Sequence, residues 1–220
     1  MTNADKDTSV PRGAILQRDG KTYAIKPRTP LGVLPAETLK AMAEIVEEYD
    51  LPMVKVTAGQ RLMLVGIKEE DLRPILHRLG PCGELCAHYV QACPGANVCR
   101  LGMRETLAFG TVLEELLVAM KDLPAKVKVG ISGCSMCCSE SHLRDIGLLG
   151  KKSGWTVIFG GNAGTRPRQG DVIGEKLSDG EAAALVLRAL EHYKRHGKPK
   201  ERTARFVERV GIESIREALA

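Results

Sequence analysis

The sequence predicts an α+β chain: a small β-α-β-β-α lobe over residues 14–79, a cysteine-bearing α/β segment over 80–175, and helices over 176–220. Three observations carry that prediction. Short apolar stretches bounded by turn residues alternate with helical periodicity in the first lobe. Four cysteines fall in two tight pairs in the middle segment. A capping box then opens a long amphipathic run towards the C-terminus.

Residues 1–13 are polar and expected to be disordered. Asp19-Gly20 is a hairpin signal between Ile15-Leu16-Gln17 and Thr22-Tyr23-Ala24-Ile25. Pro35 suits a first helical position, and Leu39, Met42, Ala43, Ile45 and Val46 give a helical apolar face up to Tyr49. Met53 to Thr57 and Leu62 to Ile67 read as strands joined at Ala58-Gly59-Gln60, with a helix from Glu69 to Leu79. That order is the one of a ferredoxin-like half domain.

Pro81 to Val98 reads as a cysteine-rich loop with a short helical region, followed by a long helix from Arg100 to Lys121. A strand from Lys126 to Ile131 leads to Cys134, and Asp145–Gly150 and Trp155–Phe159 read as further strands. The glycine-rich run Gly160 to Gly164 precedes Thr165-Arg166-Pro167-Arg168. Ser178 and Glu181 form the capping box before Ala182 to His196, which Gly197-Lys198-Pro199 ends. A helix to Val210 and a short last one complete the chain.

Composition narrows the function. At 44% hydrophobic and 27% charged, the chain has the make-up of an ordinary soluble globular protein. No apolar run reaches a membrane span and no signal-peptide pattern opens the sequence, so a cytoplasmic location without membrane contact is expected. Aromatic residues make up only 4%, which leaves few stacking platforms, and no helix carries a basic stripe; nucleic acid is not an expected partner. Seven cysteines, odd in number and clustered, disfavour a disulfide framework and favour metal or redox chemistry.

Five residues separate Cys93 from Cys99, and three separate Cys134 from Cys138. A cubane iron–sulfur cluster needs four thiolates, which two short pairs on two loops can supply. Zinc also accepts four thiolates, although the wider gap argues mildly against its usual knuckles. Pro94-Gly95 and Gly133 would let backbone approach such a cluster closely. Cys137 neighbours Cys138 and is the alternative ligand by a slip of one residue. Cys82 and Cys86 read as small buried hydrophobes, with a second metal site or a redox disulfide as the alternative. His77, His88, His192 and His196 sit in helical patterns as surface or packing residues, His142 follows Cys138 closely, and Trp155 is a core candidate. No Gly-x-Gly-x-x-Gly follows a strand, so no flavin or nicotinamide is expected.

The arrangement Cys93-x5-Cys99 with Cys134-x3-Cys138 resembles the cluster signature of the sirohaem sulfite and nitrite reductases. Asp145-Ile-Gly-Leu-Leu-Gly150, Gly160-Gly-Asn162 and Gly164-Thr-Arg166 resemble that family's segment downstream of the last cysteine. Thr57-Ala-Gly-Gln60, ahead of Leu62–Ile67, resembles the Thr-x-x-Gln turn of its ferredoxin-like half domain. The three blocks cover residues 14–170, and the shortness resembles the small, single-module, assimilatory-type sulfite reductases.

The resemblance implies an α/β domain binding sirohaem and a [4Fe-4S] cluster over residues 80–175. Cys93, Cys99, Cys134 and Cys138 would hold the cluster, and the Cys138 sulfur would also be the axial ligand of the sirohaem iron. Arg61, Arg166 and Arg168 are the candidates for the sirohaem carboxylates, because guanidinium matches carboxylate bidentately. Thr57, Gln60, Gly161, Asn162 and Thr165 are the other candidate cofactor contacts. Lys26, Arg28, Lys55 and Arg61 are the candidates for binding and protonating a small oxyanion. The implied activity is the six-electron reduction of sulfite to sulfide with electrons from a separate carrier protein. Nitrite reduction to ammonia, a non-catalytic iron–sulfur electron-transfer subunit and a structural zinc protein are the alternatives. The first module of the long enzymes, which supplies many anion-binding residues, has no counterpart here, and Cys137 stands where a glycine is common. The sequence leaves a homo-oligomer open.

Overall fold

The structure is a computed structural model, and it describes residues 10–80, 82 and 88–220. Cys86 and residues 1–9 of the expected disordered N-terminus lie outside the described residues. The chain divides into two compact units, Met1–Glu84 and Leu85–Ala220. No helix among the described residues is long and apolar enough to cross a membrane.

The first unit is a four-stranded antiparallel sheet with two helices. Its strands are β1 (Ile15–Leu16), β2 (Tyr23–Ile25), β3 (Met53–Val56) and β4 (Leu62–Ile67), in the order β1-β2-β4-β3. Asp19 closes the β1–β2 hairpin by accepting the Lys21 and Thr22 backbone N–H groups, each at 2.9 Å. Those bonds, with the Thr22 hydroxyl, hold its carboxyl down at about 2. Helices α1 (Ala36–Glu48) and α2 (Leu72–Leu79) bury Met42, Ile45, Leu72 and Ile75 against Tyr23, Ile25, Leu64 and Ile67. Pro35 is the N-cap of α1 rather than its first residue, and the predicted helix from Glu69 starts as a 3-10 turn before α2.

The second unit is a five-stranded sheet. Its strands are β5 (Tyr89–Ala92), β6 (Lys128–Ser132), β7 (Ile146–Lys151), β8 (Gly154–Phe159) and β9 (Asp171–Leu177), ordered as numbered. β5, β6 and β7 run parallel, and β8 and β9 are antiparallel. Helices α3 (Leu107–Ala119) and α4 (Asp179–His196) pack on one face, where Phe109 meets the fully buried Trp155 with ring centroids 5.1 Å apart. The Ser178–Glu181 capping box opens α4 as predicted. Helices α5 (Thr203–Val210) and α6 (Ile212–Leu219) close the unit, with Phe206 edge-on to Phe159 and Tyr193.

Parallel neighbours are normally joined through a helix. Here residues 139–144 return the chain from β6 to β7 and lie flat on the sheet. They cross over Gly130 and Gly147, which are paired in register. Strand alternation puts both glycines on the face opposite α3 and α4. A Cβ at Gly147 would lie 2.0 Å from the Ser141 carbonyl oxygen, and one at Gly130 would lie 2.6 Å from that of Ser139. Backbone cannot yield as a side-chain tip can. Gly147→Ala is therefore expected to cost more than the roughly 1–3 kcal/mol of ordinary overpacking. Gly180→Ala, where nothing lies within 4 Å, should be neutral or mildly stabilising. Denaturant titration of the two variants checks both.

The predicted elements need correction at three places. The predicted helix Arg100–Lys121 is helical only over Leu107–Ala119. Met103 and Arg104 donate their N–H groups to the Gly133 carbonyl (2.7 and 3.1 Å), so residues 100–106 brace another loop instead of forming a helical turn. The Glu105 carboxylate then takes the Leu107 and Ala108 N–H groups at 2.8 Å and sets where α3 begins. The stretch predicted as loop and short helix contains β5 at its described end, and β9 was not predicted. His88 sits in no helix; its Nδ1 accepts the Val127 N–H at 2.9 Å.

Candidate cofactor site

Cys93 directly follows β5, and Gly133-Cys134 directly follow β6. The two strands are adjacent and parallel, with Ala92 paired to Ile131. The Cys93 N–H extends the ladder to the Ile131 carbonyl at 3.0 Å. Both cysteine loops thus leave the carboxyl ends of neighbouring parallel strands, the place where open α/β sheets bind ligands. The first loop curls on itself, with the Val98 and Cys99 N–H groups on the Gly95 carbonyl (3.3 and 2.8 Å). In the second loop the Cys137 N–H reaches the Cys134 carbonyl at 3.3 Å, with Cys137 at φ +56°.

Gly133 joins the two loops. Its N–H donates to the Cys93 Sγ at 3.2 Å, while its carbonyl takes the Met103 and Arg104 N–H groups. A Cβ on Gly133 would stand 2.8 Å from the Arg104 oxygen and 3.2 Å from the Gly95 Cα. One on Gly95, at φ +69°, would stand 2.5 Å from the Thr106 hydroxyl, which itself bonds the Cys93 carbonyl. Only bare backbone allows these loops to touch.

Cys134 is buried, Cys93, Cys99 and Cys137 are half-buried, and Cys138 is exposed. Among the described residues no three Cys, His, Asp or Glu side chains gather on one point as a single ion requires. A cubane instead takes one thiolate at each of four corners, and two facing loops with a cysteine near each end fit that demand. An N–H···S bond from Gly133 suits a thiolate ligand as well. The hydroxyl of Ser139, next to Cys138, and the Nδ1 of His142 are buried polar atoms with no protein partner, so the surroundings hold donors for a further group.

The glycine–arginine loop lies elsewhere. It follows β8, whose Phe159 pairs with Ile146 at the start of β7, about 13 Å along that strand from its cysteine end. Asn162 and Arg168 exchange backbone bonds (2.9 and 2.8 Å), and the Asn162 Nδ2 donates to the Arg166 carbonyl at 2.9 Å. Arg168 holds its own loop through the Gly160 carbonyl at 3.0 Å and Asp171 at 2.5 Å. Gly161 lies under the His142 and Arg144 carbonyls, each 2.5 Å from where a Cβ would be. Thr165 and Arg166 are exposed, Arg166 lying 3.5 Å from Glu208. The structure thus sets the two cysteine loops on adjacent strand ends, and carries Gly161, Asn162, Thr165, Arg166 and Arg168 on a loop that starts from the other end of β7.

In the first unit, Thr57 and Arg61 close a tight turn: the Thr57 N–H bonds the Arg61 carbonyl at 2.8 Å, and the Arg61 N–H bonds the Thr57 hydroxyl at 3.3 Å. Gln60 sits in that turn at φ +58°, against Gly32. Lys55 pairs with Met63, while Val54 and Ile25 pair with the buried Leu64. Alternation puts Lys55, Met63 and Arg61 on the face away from the helices, and the same alternation carries to Lys26, just beyond β2. Arg28 lies further along the same segment and is half-buried. One face of the half domain is therefore basic.

Sequence reasoning missed a group of serines. Ser132, Ser139 and Ser141 are all buried and linked around the second cysteine loop. Nothing in their spacing sets them apart; the adjacency of Ser132 and Ser139 to the cysteine loop was the available signal.

Two family profiles match this chain: the nitrite/sulfite reductase ferredoxin-like half domain over residues 15–82, and the nitrite and sulphite reductase 4Fe-4S domain over 86–220. A protein of Nitratidesulfovibrio vulgaris named "Sulfite reductase, assimilatory-type" is 51% identical, over 95% of this chain and 97% of its own length. A Bacillus subtilis "Nitrite reductase [NAD(P)H]" is 35% identical over 94% of this chain, which spans 26% of that protein. Among solved structures, dissimilatory sulfite reductase I superposes with a TM-score of 0.74 at 14% identity, over 90% of this chain and 69% of the other. Mycobacterium tuberculosis NirA superposes at 0.70 with 22% identity, over 90% and 39%. At those identities the likeness is one of fold.

Proposed function

The chain belongs to the nitrite and sulphite reductase family, and from that membership we propose that it catalyses the six-electron reduction of sulfite to sulfide. The observation that carries the proposal is the pair of cysteine loops set face to face on adjacent strand ends. Full-length similarity to the assimilatory-type relative supports it.

Cys93, Cys99, Cys134 and Cys138 would hold the [4Fe-4S] cluster, and Cys138 would also serve the sirohaem. When bound, the two groups would relay electrons to the oxyanion. The Gly133 N–H stabilises the Cys93 thiolate by partial positive charge. Lys26, Lys55 and Arg61 share a basic face of the half domain, with Arg28 beside them, and that charge suits a small anion. Electrons come from a separate carrier protein, in the cytoplasm. Nitrite is the second candidate substrate, supported by the 35% identical relative.

The test is the anaerobic optical spectrum of protein made in a host that supplies sirohaem, with iron and sulfide analysis and turnover on both oxyanions. Isobacteriochlorin bands with roughly five irons per chain are expected, with faster turnover of sulfite than of nitrite. A brown spectrum with about four irons and no haem would instead identify an electron-transfer subunit.

A further inference from the structure

We infer that Ser132 is a positioning residue for the Cys138 thiolate, acting through a one-way chain of hydrogen bonds from the peptide after Cys138 to β7. The inference rests on the function proposed above. Its links are short and wholly buried. The Ser139 N–H donates to the Ser132 Oγ at 3.1 Å. The hydroxyls of Ser132 and Ser141 are 2.9 Å apart, and the Ser141 hydroxyl donates to the Leu148 carbonyl at 2.9 Å.

Proton counting fixes the direction. Each hydroxyl has one proton. Ser141 gives its proton to Leu148, so Ser132 is the donor between the two hydroxyls. The Ser132 oxygen is then free to accept the N–H of Ser139. Donors aligned head to tail polarise one another, and burial removes the competition of water. The residues are 1%, 2% and 0% exposed for Ser132, Ser139 and Ser141.

The anchored peptide is the one that carries Cys138. Cys138 itself is exposed, so its own packing does not fix its backbone. On the other side of the loop, Ser132 is joined through Gly133 to the Cys93 sulfur and to Cys134. A single tripeptide, Ser132-Gly133-Cys134, therefore sets three of the four cysteines relative to β6. A thiolate shared between two centres must satisfy both at once, so a small drift of its backbone weakens the shared bond before it costs either centre.

The experiment compares the wild-type holoenzyme with Ser132→Ala, Ser141→Ala and Thr203→Ala. Thr203→Ala removes another buried hydroxyl bond, at Asp145, and serves as a control for stability. Readouts are iron and haem content, spectroscopic haem–cluster coupling, kcat and KM, and amide exchange at Ser139. Ser132→Ala is expected to keep its cofactors while Ser139 exchange speeds up roughly tenfold, the scale of one lost hydrogen bond. Coupling and kcat should fall together with KM unchanged. Ser141→Ala should show a smaller loss, because Ser132 still accepts the Ser139 N–H, and Thr203→Ala should leave coupling intact.

Wild-type coupling and kcat in Ser132→Ala would overturn the inference, as would an equal loss of coupling in Thr203→Ala. If Ser132→Ala does not load its cofactors, Ser132→Thr returns the hydroxyl. Recovered coupling then supports the inference, and failure to recover overturns it. If the wild type itself shows no coupled centre, the proposed function fails. In that event the chain is still judged in the cofactor-free protein by the alkylation rate of Cys138, which Ser132→Ala should change and Thr203→Ala should not.

Discussion

Cys138→Ser is expected to abolish reduction of sulfite and to leave haem and cluster uncoupled. A serine hydroxyl is a hard donor that stays protonated near neutral pH, whereas the cluster and the haem iron both favour a soft thiolate. The loss should exceed that from changing any of the basic residues, because on the proposed ligand set it would remove the link between the two centres. Cys137→Ser is the matching control. Its backbone lies at φ +56°, a conformation that favours glycine. Cys137→Gly should be tolerated or mildly stabilising there. Turnover, iron content and electron paramagnetic resonance of the reduced proteins separate the cases. Retained coupling in Cys138→Ser, with loss in Cys137→Ser, would move the bridge to Cys137.

Much of the fold was legible because its signals were local. Asp19-Gly20 and the Ser178–Glu181 box work through bonds within three residues, and both elements formed as read. The spacing of the cysteine pairs is local too, and the two loops that carry them leave adjacent strand ends. What escaped depends on contacts distant in sequence. The turn at residues 100–106 is held from helical geometry by a carbonyl some thirty residues away, on Gly133. Strand β5 is four residues of mixed polarity, and burial on both faces is what makes it a strand. Arg166 and Arg168 were grouped with the cysteines on the strength of a family resemblance. Nothing in their own residues said which end of the sheet they occupy. The antiparallel turn into β8 sends that loop to the start of β7, where Arg168 meets Asp171. The basic face around Lys55 and Arg61, by contrast, follows from strand alternation alone.

Asp145→Asn should destabilise the second unit by about 3 kcal/mol or more, as the loss of one member of a buried ion pair does. Asp145 is 1% exposed and accepts four bonds: two from Arg202 (3.1 and 2.5 Å), one from the Thr203 hydroxyl at 2.6 Å and one from the Lys128 N–H at 2.9 Å. It ties α5 to the starts of β6 and β7. The carboxylate also faces the charge of Lys128 besides that of Arg202; burial, then Arg202 and Arg144, hold the Lys128 ammonium below its usual pKa. Asparagine removes the negative charge and turns an NH2 group towards two of those four donors. The cations are then left facing each other in a place with little water. Arg202→Met makes the contrast. Arg202 is 31% exposed, so its own contribution is partly screened. The carboxylate it leaves keeps the Thr203 hydroxyl and the Lys128 N–H. Its loss should therefore cost less, about 1–2 kcal/mol. Denaturant midpoints at constant m-value measure both. A larger loss from Arg202→Met would mean that the buried carboxylate, not the surrounding positive charge, is the group that most needs compensation.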